Sequence, residues 1–175
     1  MKTRIIDFFT DCAKVITAPD ELFYLKSQYK NYEGVLTSIF FTAFLGLILG
    51  IYLKDIIVTI GIIVCAIILV LLNNIIHSII TSIIARILGG TGNLLNLFNL
   101  ISYTSVLDIF FIFVLSIFSF KPLLFIPIYI LVSLWKLVIN TLAVHSEYEL
   151  GYGRSFLAAY GIIIILIITI LMGVL

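Results

Sequence analysis

The feature that most restricts this chain is a succession of apolar runs, each about as long as a bilayer is thick, separated by a few polar residues. A helix needs roughly 20 apolar residues to cross about 30 Å of hydrocarbon. Such runs extend from Val35 to Leu53, from Ile56 to Arg86, from Leu97 to Phe120, from Pro122 to Val144 and from Ser155 to Leu175. Of the 175 residues, 63% are apolar and 11% charged, against roughly 25% charge in an ordinary soluble domain. One soluble core cannot enclose that much Ile, Leu and Phe, so the surplus is expected to face lipid. The expected fold is all-α: an integral membrane bundle of five transmembrane helices with an N-terminal amphipathic interfacial helix. Residues 1–32 form the interfacial segment and residues 33–175 the five-span domain.

Positive charge predicts orientation. With the N-terminus cytoplasmic, Lys2, Arg4, Lys14, Lys26, Lys30, Arg86 and Arg154 fall inside. Lys54 and Lys121 fall outside, and Lys136 lies within a span. Five spans then put the C-terminus outside, in a multi-pass protein of the cell membrane. The first 32 residues carry nine charges and no apolar core followed by a small-residue cleavage site, so no cleaved signal peptide is expected.

Within that segment Ile5, Ile6, Phe8, Phe9, Cys12, Val15 and Ile16 recur at helical spacing, with Asp7, Asp11 and Lys14 off the stripe. Such a helix either lies in the inner interface or packs under the bundle. Thr17 is placed to cap a second short helix that starts at Pro19, Asp20 and Glu21.

The second span changes character part-way. Ile75, Ile76, Ile79, Ile80, Ile83, Ile84, Ile87 and Leu88 come in pairs every four residues. Asn73, Asn74, His77, Ser78, Thr81, Ser82 and Arg86 fill the other face. Gly89, Gly90 and Gly92 then permit a tight reversal on the cytoplasmic side. The third span opens with its own polar stripe, Asn96, Asn99, Tyr103 and Thr104, leading to Asp108. Counting equal distances from a turn near residue 91 puts Asp108 level with Asn74, and His77 level with Ser105. Counting from Lys121 and Pro122 puts Asp108 level with Trp135 and Lys136, with Asn140 one turn away.

An intramembrane polar core of Asn73, Asn74, His77, Asn99, Tyr103, Asp108, Lys136 and Asn140 is therefore expected, centred on an Asp108–Lys136 pair. A lone charge in lipid costs about 2.5–3.5 kcal/mol on insertion scales, and pairing reduces that cost. Such a core serves either as the relay or binding groups of a small ion- or proton-coupled carrier, or as glue that fixes helix pairing. Glue is the preferred reading, because a neutral pair needs no substrate to explain it. Lys136 is also able to snorkel inward without a partner.

Motifs that carry enzyme chemistry are missing. There is no HExxH, GxSxG or P-loop pattern, and no Lys-Ser follows the glycines. His145 and Glu149 stand four apart, but two ligands without a third predict no metal site. Residues Glu147 to Arg154 read as a short connecting loop. Cys12 and Cys65 are expected at different depths, so no disulfide is predicted. A net charge of +1 gives no field for nucleic acid. No catalytic residue, cofactor or metal is expected. The bilayer is the expected partner, with other membrane proteins or a homo-oligomer as further candidates.

Three features resemble the Yip1 domain family. APDELFYL, Ala18 to Leu25, is similar to that family's Pro-acidic-aromatic segment before the first span. ILGGTGNLLNLFNLISYTSVLD, Ile87 to Asp108, resembles its Gly-Gly turn followed by an aromatic and small-residue motif. Trp135 stands where the family commonly has a Trp in its fourth span. The resemblance implies five spans, a cytoplasmic N-terminus and a scaffold role in membrane organisation. Eukaryotic relatives are associated with secretory trafficking, membrane shaping and prenylated small GTPases of the Rab class. Two departures narrow this. The third-span motif usually reaches a Pro, where this chain has Leu107 or Asp108, and only about 32 residues precede the first span. The chain resembles the minimal prokaryotic form, and small GTPase binding is not among its expected partnerships.

Overall fold

A computed structural model describes residues 2–29, 31–118 and 122–174. The described residues form eight α-helices and one 3-10 turn: α1 Lys2–Thr17, α2 Pro19–Ser27, α3 Glu33–Leu53, α4 Ile56–Ile87, α5 Leu94–Ser102, the 3-10 turn Tyr103–Leu107, α6 Asp108–Phe118, α7 Pro122–Tyr148 and α8 Tyr152–Val174. Five segments are long and apolar enough to cross a membrane: α3, α4, the continuous α5–α6 unit, α7 and α8.

Local chemistry accounts for the element ends. Asp55 caps α4 by accepting hydrogen bonds from the amides of Ile57 and Val58 at 2.8 and 3.1 Å, while Lys54 turns the chain at φ 55°. Asn93 caps α5 through the Leu95 amide at 2.8 Å. Between them Gly89 takes φ +96°, and the Gly90 amide reaches back to the Ala85 carbonyl at 2.9 Å, closing the end of α4. α2 has Pro19 in its first turn and Asp20 and Glu21 beside the helix dipole.

The cap expected of Thr17 is not made. Thr17 still belongs to α1, its hydroxyl bonds back to the Ala13 carbonyl at 3.0 Å, and Ala18 takes the N-cap position. The third span, expected as one helix over 97–120, starts at Leu94 and is interrupted by the 3-10 turn; Ser119 and Phe120 lie outside the described residues. Hydroxyls offer its backbone competing partners: Ser102 Oγ bonds the Phe98 carbonyl and Thr104 Oγ1 the Ile101 carbonyl, both at 2.8 Å. α7 runs through Pro127 and continues to Tyr148, so the loop read over Glu147–Arg154 shrinks to Glu149–Gly151, with Glu149 at φ 54°.

α5, the 3-10 turn and α6 form the most enclosed of the five segments, with α3, α4 and α7 around them and α8 against α4 and α7. α3 lies along α4 closely because Gly46 and Gly50, one turn apart, face Ile63 and Thr59. α1 packs on α2 and the 3-10 turn, burying Cys12 and Val15 in the main core while Ile6 and Phe9 stay exposed. The core runs from Leu22 and Phe23 through Leu97, Leu100, Tyr103 and Leu107 to Ile139, Val144 and Tyr148.

Candidate functional site: a polar network between the helices

The 3-10 turn delivers Asp108 to the first turn of α6, where it is 8% exposed. A carboxylate there complements the helix dipole. Lys136 on α7 places its Nζ 2.8 Å from Asp108 Oδ1, with a third of its side chain still exposed. The pair lies in sequence beside Leu107 and Trp135, which line an apolar groove of about 520 Å³ between α6 and α7 with Phe110, Val114, Leu131 and Val132.

The other residues expected in this core are brought elsewhere. Asn74 Nδ2 reaches Ser102 Oγ at 3.5 Å, not Asp108. The 3-10 turn rises about 2.0 Å per residue instead of 1.5, which carries Asp108 further along the axis. His77 Nε2 meets the Ala159 carbonyl of α8 at 3.1 Å, not the level of Ser105, and Ser105 Oγ pairs with Ser38 Oγ of α3 at 2.9 Å. Asn140 donates to Tyr160 Oη at 2.8 Å and leaves its own Oδ1 without a partner among the described residues. Asn73 is exposed and leaves the core altogether. Asn73, Asn74 and His77 share one face of α4, but the edge of the buried surface runs through it: Asn73 stays outside, Asn74 turns to α5 and His77 to α8.

Asn99 and Tyr103 belong to a second group at the α1–α2 end. Asn99 Oδ1 accepts from the amides of Gly34 and Val35 at 2.9 and 3.3 Å, satisfying the first turn of α3 from another helix, and its Nδ2 donates to Asn31 at 2.8 Å. The approach is so close that a Cβ on Gly34 would lie 2.0 Å from the Asn99 carbonyl oxygen. Tyr103 is buried and points its Oη at Glu33 Oε2, 3.5 Å away. Lys26 Nζ sits between Asp11 Oδ2 at 2.7 Å and Glu33 Oε2 at 2.5 Å. Burial works against its charge, but the hydrogen bonds to Asp11 and Glu33 prevail and raise its pKa. Nearby, burial and then the Asp11 carboxylate push the Cys12 thiol up to about 11.

A third group holds the glycine turn. Glu147 accepts from the Asn93 amide at 2.7 Å and from Asn96 Nδ2 at 2.5 Å, and Asn96 also reaches the Ser27 carbonyl at 3.0 Å. Tyr148 Oη donates to Ser82 Oγ at 2.5 Å, and its ring lies where a side chain on Gly90 or Gly92 would stand. His145 is committed to the Leu150 carbonyl through Nδ1, and its ring lies against that of Tyr152 with centroids 4.1 Å apart and planes tilted by 31°. No group of three metal-ligating side chains occurs among the described residues.

Sequence reasoning missed the Asp11–Lys26–Glu33 link, the Glu147 clasp and the tight α3–α4 seam. The seam had a readable signal, GLILG from Gly46 to Gly50. The first two join residues that no local pattern relates. Compared with known proteins, the chain matches no family model, no curated protein and no solved structure.

Proposed function

We propose that this chain is a non-enzymatic, multi-pass membrane protein of the Yip1 type that organises membrane or assembles other membrane proteins. Its five long apolar helices cross the bilayer with the N-terminus cytoplasmic and the C-terminus outside, as the lysine and arginine distribution favours. α1 lies in the inner interface, its exposed Ile6 and Phe9 turned to acyl chains. The observation that carries the reading is the dispersal of the polar side chains. Asn74, His77, Asn99, Lys136 and Asn140 each reach a different residue, most of them on another helix, instead of converging on one centre. That is the arrangement of interhelical glue. The Yip1 resemblance of the glycine turn and of the segment Ala18–Leu25 supports a scaffold role. A second reading, a small proton- or ion-coupled carrier, is favoured by the 3-10 break that sets a buried carboxylate against a lysine.

Proton and monovalent-ion flux in liposomes containing only the purified protein separates the two. The organiser reading expects flux no greater than in empty liposomes from folded, inserted protein. Flux that disappears in Asp108→Asn would overturn it in favour of the carrier.

A further inference from the structure

α1 meets α3 through Phe8 and Phe40, whose ring centroids lie 5.7 Å apart. Beside that contact the two helices leave a cavity of about 740 Å³, bordered also by Lys26 of α2 and Tyr103 of the 3-10 turn. That volume is within the range of small-molecule sites. The walls are held in place. Tyr103 is 1% exposed, and Lys26 is fixed between Asp11 and Glu33 at 2.7 and 2.5 Å.

The charge of the lining selects the ligand. Three carboxylates, Asp7, Asp11 and Glu33, face two lysines, Lys14 and Lys26. Among the described residues, the bonds to Asp11 and Glu33 use Asp11 Oδ2 and Glu33 Oε2. Asp11 Oδ1, Glu33 Oε1 and the exposed Asp7 carboxylate are therefore acceptors for a further donor. The Lys26 ammonium already sits where a metal ion would bridge Asp11 and Glu33, so the added cation is one that donates hydrogen bonds. A primary ammonium offers three N–H groups, whereas a quaternary one offers none and is held by a cage of aromatic faces.

The rim selects the rest of the ligand. Lys14 reaches Glu21 at 3.2 Å, but that pair is exposed and weak, so the lysine is free to turn to an anion. Phe8 and Leu36 make the apolar part of the lining, and Leu36 is 61% exposed on α3, with Phe40 exposed one turn further on. An amphiphile bound here lays its tail along that face.

We propose that this cavity binds the headgroup of an aminophospholipid, its ammonium among Asp7, Asp11 and Glu33 and its phosphate at Lys14. The proposal rests on α1 lying in the inner interface, and not on the organiser role. A polarity-sensitive dye on Ile6→Cys, in a Cys65→Ser background in liposomes, tests that placement by itself: an apolar signal supports it, and an aqueous signal removes the proposal's footing.

The experiment is thermal unfolding of the full chain in one neutral detergent with added short-chain phosphatidylethanolamine. A saturable rise of several degrees is expected at large excess, with little from phosphatidylcholine or phosphatidylglycerol of the same acyl chains. Asp7→Asn and Lys14→Gln should unfold at nearly the native temperature without lipid, since both side chains are at the surface, and should lose most of the rise. Equal rises from all three lipids, no rise in protein shown to be folded, or a full rise retained in both variants would each overturn the proposal. A full rise from phosphoethanolamine alone, to which the lipid adds nothing, would overturn the lipid as the source of the headgroup.

Discussion

Replacing Lys136 by Leu tests whether the Asp108–Lys136 pair acts as glue. The substitution keeps the apolar stem and strands the Asp108 carboxylate, which is 8% exposed. Removing one partner of a fully buried pair costs about 3–5 kcal/mol. Here a third of the Lys136 side chain is exposed, so water already screens part of the attraction, and about 2–3 kcal/mol is expected. The reverse change, Asp108→Leu, leaves a lysine that can extend its stem toward a polar boundary, and about 1 kcal/mol is expected. The double replacement removes both charges and should return close to the native value. For a chain of this size about 2–4 °C accompanies each kcal/mol, so Lys136→Leu should lower the unfolding temperature by roughly 5–10 °C, Asp108→Leu by less, and the pair together by almost nothing. Thermal unfolding of the four proteins in one detergent, at neutral pH, measures this. The reasoning is refuted if Asp108→Leu costs as much as Lys136→Leu, or if the double replacement costs the sum of the two.

Asn99→Leu removes the acceptor for two α3 amides and should cost about 2–4 kcal/mol in the same assay, because the Gly34 amide is left buried without a partner. Gly92→Val sets a Cβ 2.5 Å from the Glu147 carbonyl oxygen and should destabilise strongly, whereas Gly61→Ala, with open space around it inside α4, should stabilise by about 0.5–1 kcal/mol. The raised Cys12 pKa favours the folded state while the thiol is protonated, so that contribution is present below pH 9.0 and is lost as pH rises through about 11. The unfolding temperature of Cys12→Ala should therefore fall less across that window than that of the native chain.

How much of the site was legible depended on how far its parts lie from a turn. Asp108 and Lys136 flank a turn short enough to count across, and depth follows from 1.5 Å per residue. Direction did not follow as readily. Asn73 and Asn74 are neighbours, yet one faces outward and the other the last residue of α5, because a helix rotates about 100° at each step and the bundle decides which angle is inside. The break at Tyr103–Leu107 was hidden because the same apolar pattern suits a continuous helix, and only the hydroxyl bonds of Ser102 and Thr104 reveal the competition.

By itself, the sequence determined that the chain is helical, that it has five segments long and apolar enough to span a bilayer, and where its glycine turn reverses the chain. Those are one-dimensional properties, set by run length, hydrophobicity and backbone freedom. Only the tertiary structure decided that Asn99 serves the start of α3, that Glu147 clasps the glycine turn and that Lys26 joins Asp11 to Glu33. A buried polar group takes whichever partner the packing of other helices brings within about 3 Å, and that is a property of the assembled bundle, not of any stretch of chain.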